Sequence, residues 1–152
     1  MNLKDIQCCY FIGIGGIGMS AIARYFNSIG IAVHGYDKTE TALTKKLVEE
    51  GIDIHYEDDV KQIPERVDLV VYTPAVPDSL GELQYLRSTE IPIKKRAEVL
   101  GIISQNRKTI AIAGTHGKTT TTTITTHLLR SGGVDCSAFL GGIAQNFGSN
   151  FV

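Results

Sequence analysis

No stretch of this sequence approaches the ~20 consecutive apolar residues that a membrane-spanning helix requires. Met1-Asn2-Leu3-Lys4-Asp5 also lacks the basic-then-apolar pattern of a secretory leader. Nor is there an excess of one charge: 15 Lys and Arg face 16 Asp and Glu, for a net charge of −1. That balance removes any general electrostatic attraction to nucleic acid or to an anionic membrane. Cysteine is scarce and odd in number, three in 152 residues, with Cys8 and Cys9 adjacent in an apolar run. Such a set fits buried, reduced thiols better than a disulfide framework. What remains is the expectation of a soluble, cytoplasmic protein whose 43% hydrophobic residues can fill a core.

Acidic residues are nearly missing from one end. Residues 1–106 carry 11 basic and 15 acidic side chains, net −4, whereas 107–152 carry 4 basic and a single acid, Asp135. Along the first stretch, apolar runs alternate with helical spacing. Residues 8–14 form an apolar run that ends in glycines, as a buried parallel strand does. Ile22, Tyr25, Phe26 and Ile29 then fall on one helical face that stops at Gly30. Further strands are expected over 31–36, 53–56, 68–72 and 91–93, with helices around Leu43 and Leu47, around Leu80, Leu83 and Leu86, and over 96–104. This β-α-β-α-β alternation predicts an α/β fold, a parallel sheet covered on both faces.

Polar, unpatterned residues at 105–108 place a boundary near 106, which gives units of 1–106 and 107–152. The second unit restarts with a strand over 109–113, a loop over 114–117 and a helix from about Lys118 to Arg130, with another strand over 137–140. Its 46 residues are too few for the core of a parallel α/β domain, so it reads as the incomplete start of a longer one. Apolar segments such as Ala138-Phe139-Leu140 and Phe151-Val152 are accordingly expected to be exposed and prone to disorder or association.

Two glycine-rich loops carry the chemistry, each following an expected strand. Gly13-Ile14-Gly15-Gly16-Ile17-Gly18 is a G-x-G-x-x-G opening a helix. Gly13 permits the tight turn, Gly15 lets the backbone approach a diphosphate, and Gly18 allows close helix–strand packing. The free N–H groups at the helix start attract phosphates. Asp37 ends the next strand, where an acid commonly meets a ribose hydroxyl. The pattern predicts a Rossmann-like domain for a dinucleotide or nucleoside diphosphate without naming the base.

The second loop, Gly114-Thr115-His116-Gly117-Lys118-Thr119-Thr120, resembles a P-loop. In such a loop the backbone N–H groups, a Lys ammonium and a Thr hydroxyl serve the β/γ-phosphates of ATP and Mg²⁺. It is shorter than G-x-x-x-x-G-K-[ST], because Ile112 stands where that pattern needs glycine. The helix it opens is rich in threonine, with five in a row from Thr119, and is poor by intrinsic propensity.

Taken together, Phe11-Ile12-Gly13-Ile14-Gly15-Gly16-Ile17-Gly18-Met19-Ser20 and Gly114-Thr115-His116-Gly117-Lys118-Thr119-Thr120 resemble the Mur ligase family, over the whole chain. The resemblance implies UDP-N-acetylmuramate as the ligand of the first loop. Gly15, Gly16, Ile17, Gly18 and Met19 would face its diphosphate, Asp37 would lie near the uridine, and Thr73 and Ala75 would lie on the loop after a strand. Thr73-Pro74 departs from the Ser-Ser common in the family at that point.

The resemblance also implies ATP-dependent joining of L-alanine to that substrate through an acyl phosphate, for peptidoglycan synthesis. Lys118, Thr119 and His116 would be catalytic. Gly114, Thr115, Gly117 and Thr120 would complete the ATP loop, and Thr119 would ligate Mg²⁺. The remaining Mg²⁺ ligands and the amino-acid site would lie outside this chain, which on that reading does not turn over alone. His116 points to the alanine-adding member or to its paralogue that recycles a murein tripeptide. A nicotinamide-dependent oxidoreductase is the rival from another class, although the second loop has no use in one.

Overall fold

The computed structural model describes residues 3–105 and 107–152. Met1, Asn2 and Asn106 lie outside the described residues, and with them the start of the leader reading and the boundary residue expected at 106.

Five strands form a parallel sheet in the order β3-β2-β1-β4-β5, and the connections run through helices. Strand β1 (Cys8–Ile12) is central and wholly buried, as its unbroken apolar run requires. It pairs with β2 (Ala32–Tyr36) on one side and β4 (Leu69–Tyr72) on the other. The edges are β3 (Asp53–His55) and β5 (Ile93–Lys95), the latter two residues later than expected.

Alternate residues of β1 face opposite layers. Cys9 and Phe11 join Ile22 and Phe26 of helix α1 (Ile17–Ser28), Leu47 of α2 (Ala42–Glu49), and Val99 and Ile103 of α4 (Arg96–Ser104). Tyr10 and Ile12 face Leu83 and Leu86 of α3 (Gly81–Arg87) instead. The result is the expected sheet with helices on both faces. All three cysteines are free, and burial pushes the Cys9 thiol up to about 12 and raises that of Cys8 as well.

Beyond residue 106 the expectations need correcting. Residues 109–113 do not form a strand, and Ile110 is 67% exposed. A strand needs an edge to bond to, and no described strand pairs with this segment. Helix α5 (Lys118–Ser131) forms as predicted. The strand expected at 137–140 lies instead at β6 (Phe139–Ala144), which turns back antiparallel to β7 (Ser149–Phe151), a strand with no sequence signal.

The hairpin is buried in part, although Ile143 stays 49% exposed. Ala138 and Leu140 are buried, and Phe139 and Phe151 pack with Tyr25 of α1 at ring-centroid distances of 5.7 and 6.0 Å. Phe139 and Phe151 cover α1, a partner that the local sequence does not reveal, while Ala138, Leu140 and Ala144 form a small cluster of their own with Phe147 and Val152.

Candidate functional site

The first glycine loop lies at the C-terminal ends of β1 and β2, beside β4, where the order of connections reverses. Ligands of open parallel sheets bind at that point. A cleft of about 490 Å³ opens there, and its lining includes Gly13, Gly16, Asp37, Thr73 and Ala75, together with Tyr36, Lys38, Asp58 and Ser79. Gly13 takes φ +81°, the left-handed turn expected of it. Helix α1 starts at Gly16 with no side-chain cap, so its first-turn N–H groups remain available.

Asp37 fastens the loop. Its Oδ2 accepts the Gly15 N–H at 2.7 Å and its Oδ1 accepts that of Thr39 at 3.1 Å. A Cβ at residue 15 would come within 2.8 Å of that carboxylate oxygen, so glycine here serves the close approach of the acid. Two expectations change in detail, those for Gly18 and Met19. Gly18 makes room for a guanidinium rather than for a strand, since a Cβ there would overlap Arg96 Nη1. Ile17 is 36% exposed at the helix start. Met19 turns its side chain into the core, which leaves it only its backbone N–H to offer a ligand.

Beneath the cleft lies a polar cluster with no sequence signal, because its members are 45 and 27 residues apart. Glu82 is fully buried. Its Oε2 accepts the Tyr10 hydroxyl at 2.5 Å, its Oε1 lies 2.7 Å from His55 Nε2, and the same atom accepts the Asp59 N–H at 3.1 Å. Burial, followed by the hydrogen bond to Glu82, raises the Tyr10 pKa and keeps the phenol a donor. Asp58, on the cleft wall, accepts the N–H groups of Gly81 and Glu82 at 2.8 and 2.9 Å and so caps α3. The cluster therefore fixes α3 against the sheet below the cleft.

The second loop is exposed and opens α5 at Gly117, which takes φ +75° and again has no side-chain cap. The Lys118 ammonium folds over the loop and donates to the carbonyls of Gly114 at 2.6 Å and Thr115 at 3.2 Å. His116, Thr115 and Thr120 are exposed around it. Thr119 lies against the hairpin, where a Cβ on Gly141 would come within 2.6 Å of its Oγ1. Along α5 the threonine hydroxyls bond back one turn, Thr122 to the Lys118 carbonyl and Thr126 to that of Thr122, each at 2.8 Å. None of these residues lines the first cleft. Among the described residues no three His, Cys, Asp or Glu side chains gather into a metal site. No described helix is long and apolar enough to cross a membrane.

Comparison with known proteins places this geometry. The profile of the Mur ligase family, catalytic domain, matches residues 9–108. The chain is 54% identical, over its full length, to a Flavobacterium johnsoniae protein named UDP-N-acetylmuramate–L-alanine ligase, covering 35% of that protein. It is 53% identical over 94% of its length to the Porphyromonas gingivalis protein of the same name, covering 32% of it.

Among solved structures, the UDP-N-acetylmuramate-alanine ligase of Thermotoga maritima superposes with a TM-score of 0.87 at 36% identity, over 94% of this chain and 34% of that one. A Neisseria meningitides ligase adding L-alanyl-γ-D-glutamyl-meso-diaminopimelate to UDP-N-acetylmuramate gives the same TM-score at 26% identity, over 96% of this chain and 46% of that one. The chain thus spans about a third of the length of the curated relatives it matches. With a switch-point cleft, two uncapped glycine loops and a family profile over two-thirds of its residues, this chain belongs to the Mur ligase family.

Proposed function

We propose that residues 1–106 bind UDP-N-acetylmuramate and that residues 107–152 begin the ATP-binding unit of an enzyme that joins L-alanine to it. The observation that carries this reading is one chain holding both glycine loops while matching, end to end, relatives named for that reaction. The first-turn N–H groups of α1 and the Gly16 backbone hold the diphosphate. Asp37, Thr73 and Ala75 border the nucleoside and sugar.

The second loop fits a triphosphate by its own chemistry, with an ammonium folded over a glycine turn at an uncapped helix start. Lys118 neutralises phosphate charge, and Gly114, Thr115, Gly117 and Thr120 supply loop N–H or hydroxyl contacts. His116 stands beside them. Thr119 is the one Mg²⁺ ligand assigned to this chain, because its only acid beyond residue 106 is Asp135. Bound Mg²⁺ would neutralise charge on the transferring phosphoryl group. In the reaction the substrate carboxylate attacks the γ-phosphate of ATP, releasing ADP and giving an acyl phosphate; the L-alanine amine then attacks the acyl carbon and expels inorganic phosphate as the amide forms. The residues present contribute alignment and charge neutralisation. The amino-acid site and the remaining Mg²⁺ ligands belong to further chain of the kind the longer relatives possess, so residues 1–152 alone bind without turnover.

The tripeptide-adding paralogue is the second reading. The two solved folds match equally well, but identity favours the alanine ligase, 36% against 26%. The test is phosphate release by the full-length protein that carries this chain, with ATP, UDP-N-acetylmuramate and either L-alanine or the tripeptide. Release with L-alanine, cut about a hundredfold by Lys118→Ala, is expected. Release with the tripeptide only would move the assignment to the paralogue.

A further inference from the structure

Asn150 is fully buried in β7, yet every polar atom of its side chain points at helix α1. Its Nδ2 donates to the Ile17 carbonyl at 2.6 Å and to Ser20 Oγ at 2.8 Å. Its Oδ1 accepts from Arg24 Nη1. Arg24 is itself 6% exposed and forked onto Glu50, Nε to Oε2 at 2.7 Å and Nη2 to Oε1 at 2.8 Å. Ser20 returns its own hydroxyl to the carbonyls of Gly16 and Ile17 at 2.9 and 3.0 Å. The first turn of α1, whose N–H groups end the glycine loop, is therefore held from its carbonyl side by a residue 133 positions away.

The same hairpin presses Gly141 against Thr119 of the second loop. A buried amide with all its bonding groups used is costly to misplace, because any shift leaves a polar group unpaired. Packing alone would have been served by an apolar residue here, as Phe139 and Phe151 show on the same hairpin.

We propose that Asn150 is a positioning residue: it pins the first turn of α1, and through its hairpin sets the first glycine loop in place relative to the Gly-Lys-Thr loop. That its effect is felt as substrate affinity rests on the UDP-N-acetylmuramate reading of the first cleft. The discriminating variant is Asn150→Asp. It keeps an acceptor for Arg24, so the hairpin stays docked, but offers no N–H to the Ile17 carbonyl.

Three quantities are read on the 152-residue chain: thermal unfolding, hydrogen exchange of the Ser20 amide (bonded to the Gly16 carbonyl at 2.8 Å), and calorimetric affinity for UDP-N-acetylmuramate. The expected result is a melting temperature lowered by a few degrees, as the loss of a buried donor requires, with exchange at Ser20 about tenfold faster, beyond any change in the amides of β1, and affinity about tenfold weaker. Unchanged exchange and affinity would overturn the proposal. Exchange accelerated equally at Ser20 and in β1 would also overturn it, by making the role structural. If the unaltered chain does not bind the UDP-sugar, the functional reading fails by itself. The pin is then decided by exchange alone: faster at Ser20 supports it, unchanged refutes it.

Discussion

Asp68 joins the ends of two strands just before β4. Its Oδ2 accepts the N–H groups of Gln7 at 2.8 Å and Cys8 at 3.0 Å, and Arg66 Nε lies 3.3 Å from Oδ1. The Gln7 bond, with those of Cys8 and Arg66, holds its carboxyl below the ordinary value of 3.8 despite some burial. In acid the unfolded chain therefore binds this proton before the folded one does. The stability Asp68 contributes is complete above the ordinary value and is lost as pH falls through the depressed one. Urea unfolding midpoints from pH 7 to pH 3 should fall less steeply for Asp68→Asn than for the unaltered chain; equal slopes would contradict the assignment. At this scale the first loop was legible in the sequence. Gly13, Gly15 and Asp37 act within a stretch of 25 residues, where spacing carries the geometry. The Tyr10–His55–Glu82 cluster and the partner of Gly18, Arg96, were not, because each contact is made only after distant elements pack.

Helix α2 shows local chemistry deciding an element. Thr41 caps it by accepting the Thr44 N–H at 3.2 Å, while Thr44 Oγ1 accepts the Thr41 N–H at 2.8 Å. Thr44 is also fully buried and accepts the Tyr56 hydroxyl at 3.1 Å, so the helix start is tied to the chain beyond β3. Thr41→Ala is expected to cost about 1 kcal/mol in urea unfolding, with no loss of the sheet's far-ultraviolet dichroism. The five parallel strands were legible because apolar runs bounded by glycine and proline have few alternatives. Thr109-Ile110-Ala111-Ile112-Ala113 has an equally good run but is no strand, since pairing is a property of two segments. The reverse holds for β7. Ser149-Asn150-Phe151 carries no strand signal and pairs because the turn after β6 brings it back.

At the scale of the whole molecule, a hairpin from beyond the expected boundary completes the core of the first unit. Phe139, Phe151 and Tyr25 form one aromatic group on α1, and Lys46 donates to the Gly148 carbonyl at 2.8 Å. Sequence alone left those apolar residues exposed because their cover, α1, lies more than a hundred residues earlier. The apolar face of α5 does stay exposed, with Ile124 at 54% and Leu128 at 64%. The central claim is that the switch-point cleft takes a UDP-sugar rather than a nicotinamide dinucleotide, since both suit a G-x-G-x-x-G loop. Isothermal titration of the 152-residue chain with UDP-N-acetylmuramate, and separately with NADH, tests it most directly. Saturable heat with the UDP-sugar and none with NADH is the predicted result; heat with NADH and none with the UDP-sugar would contradict it.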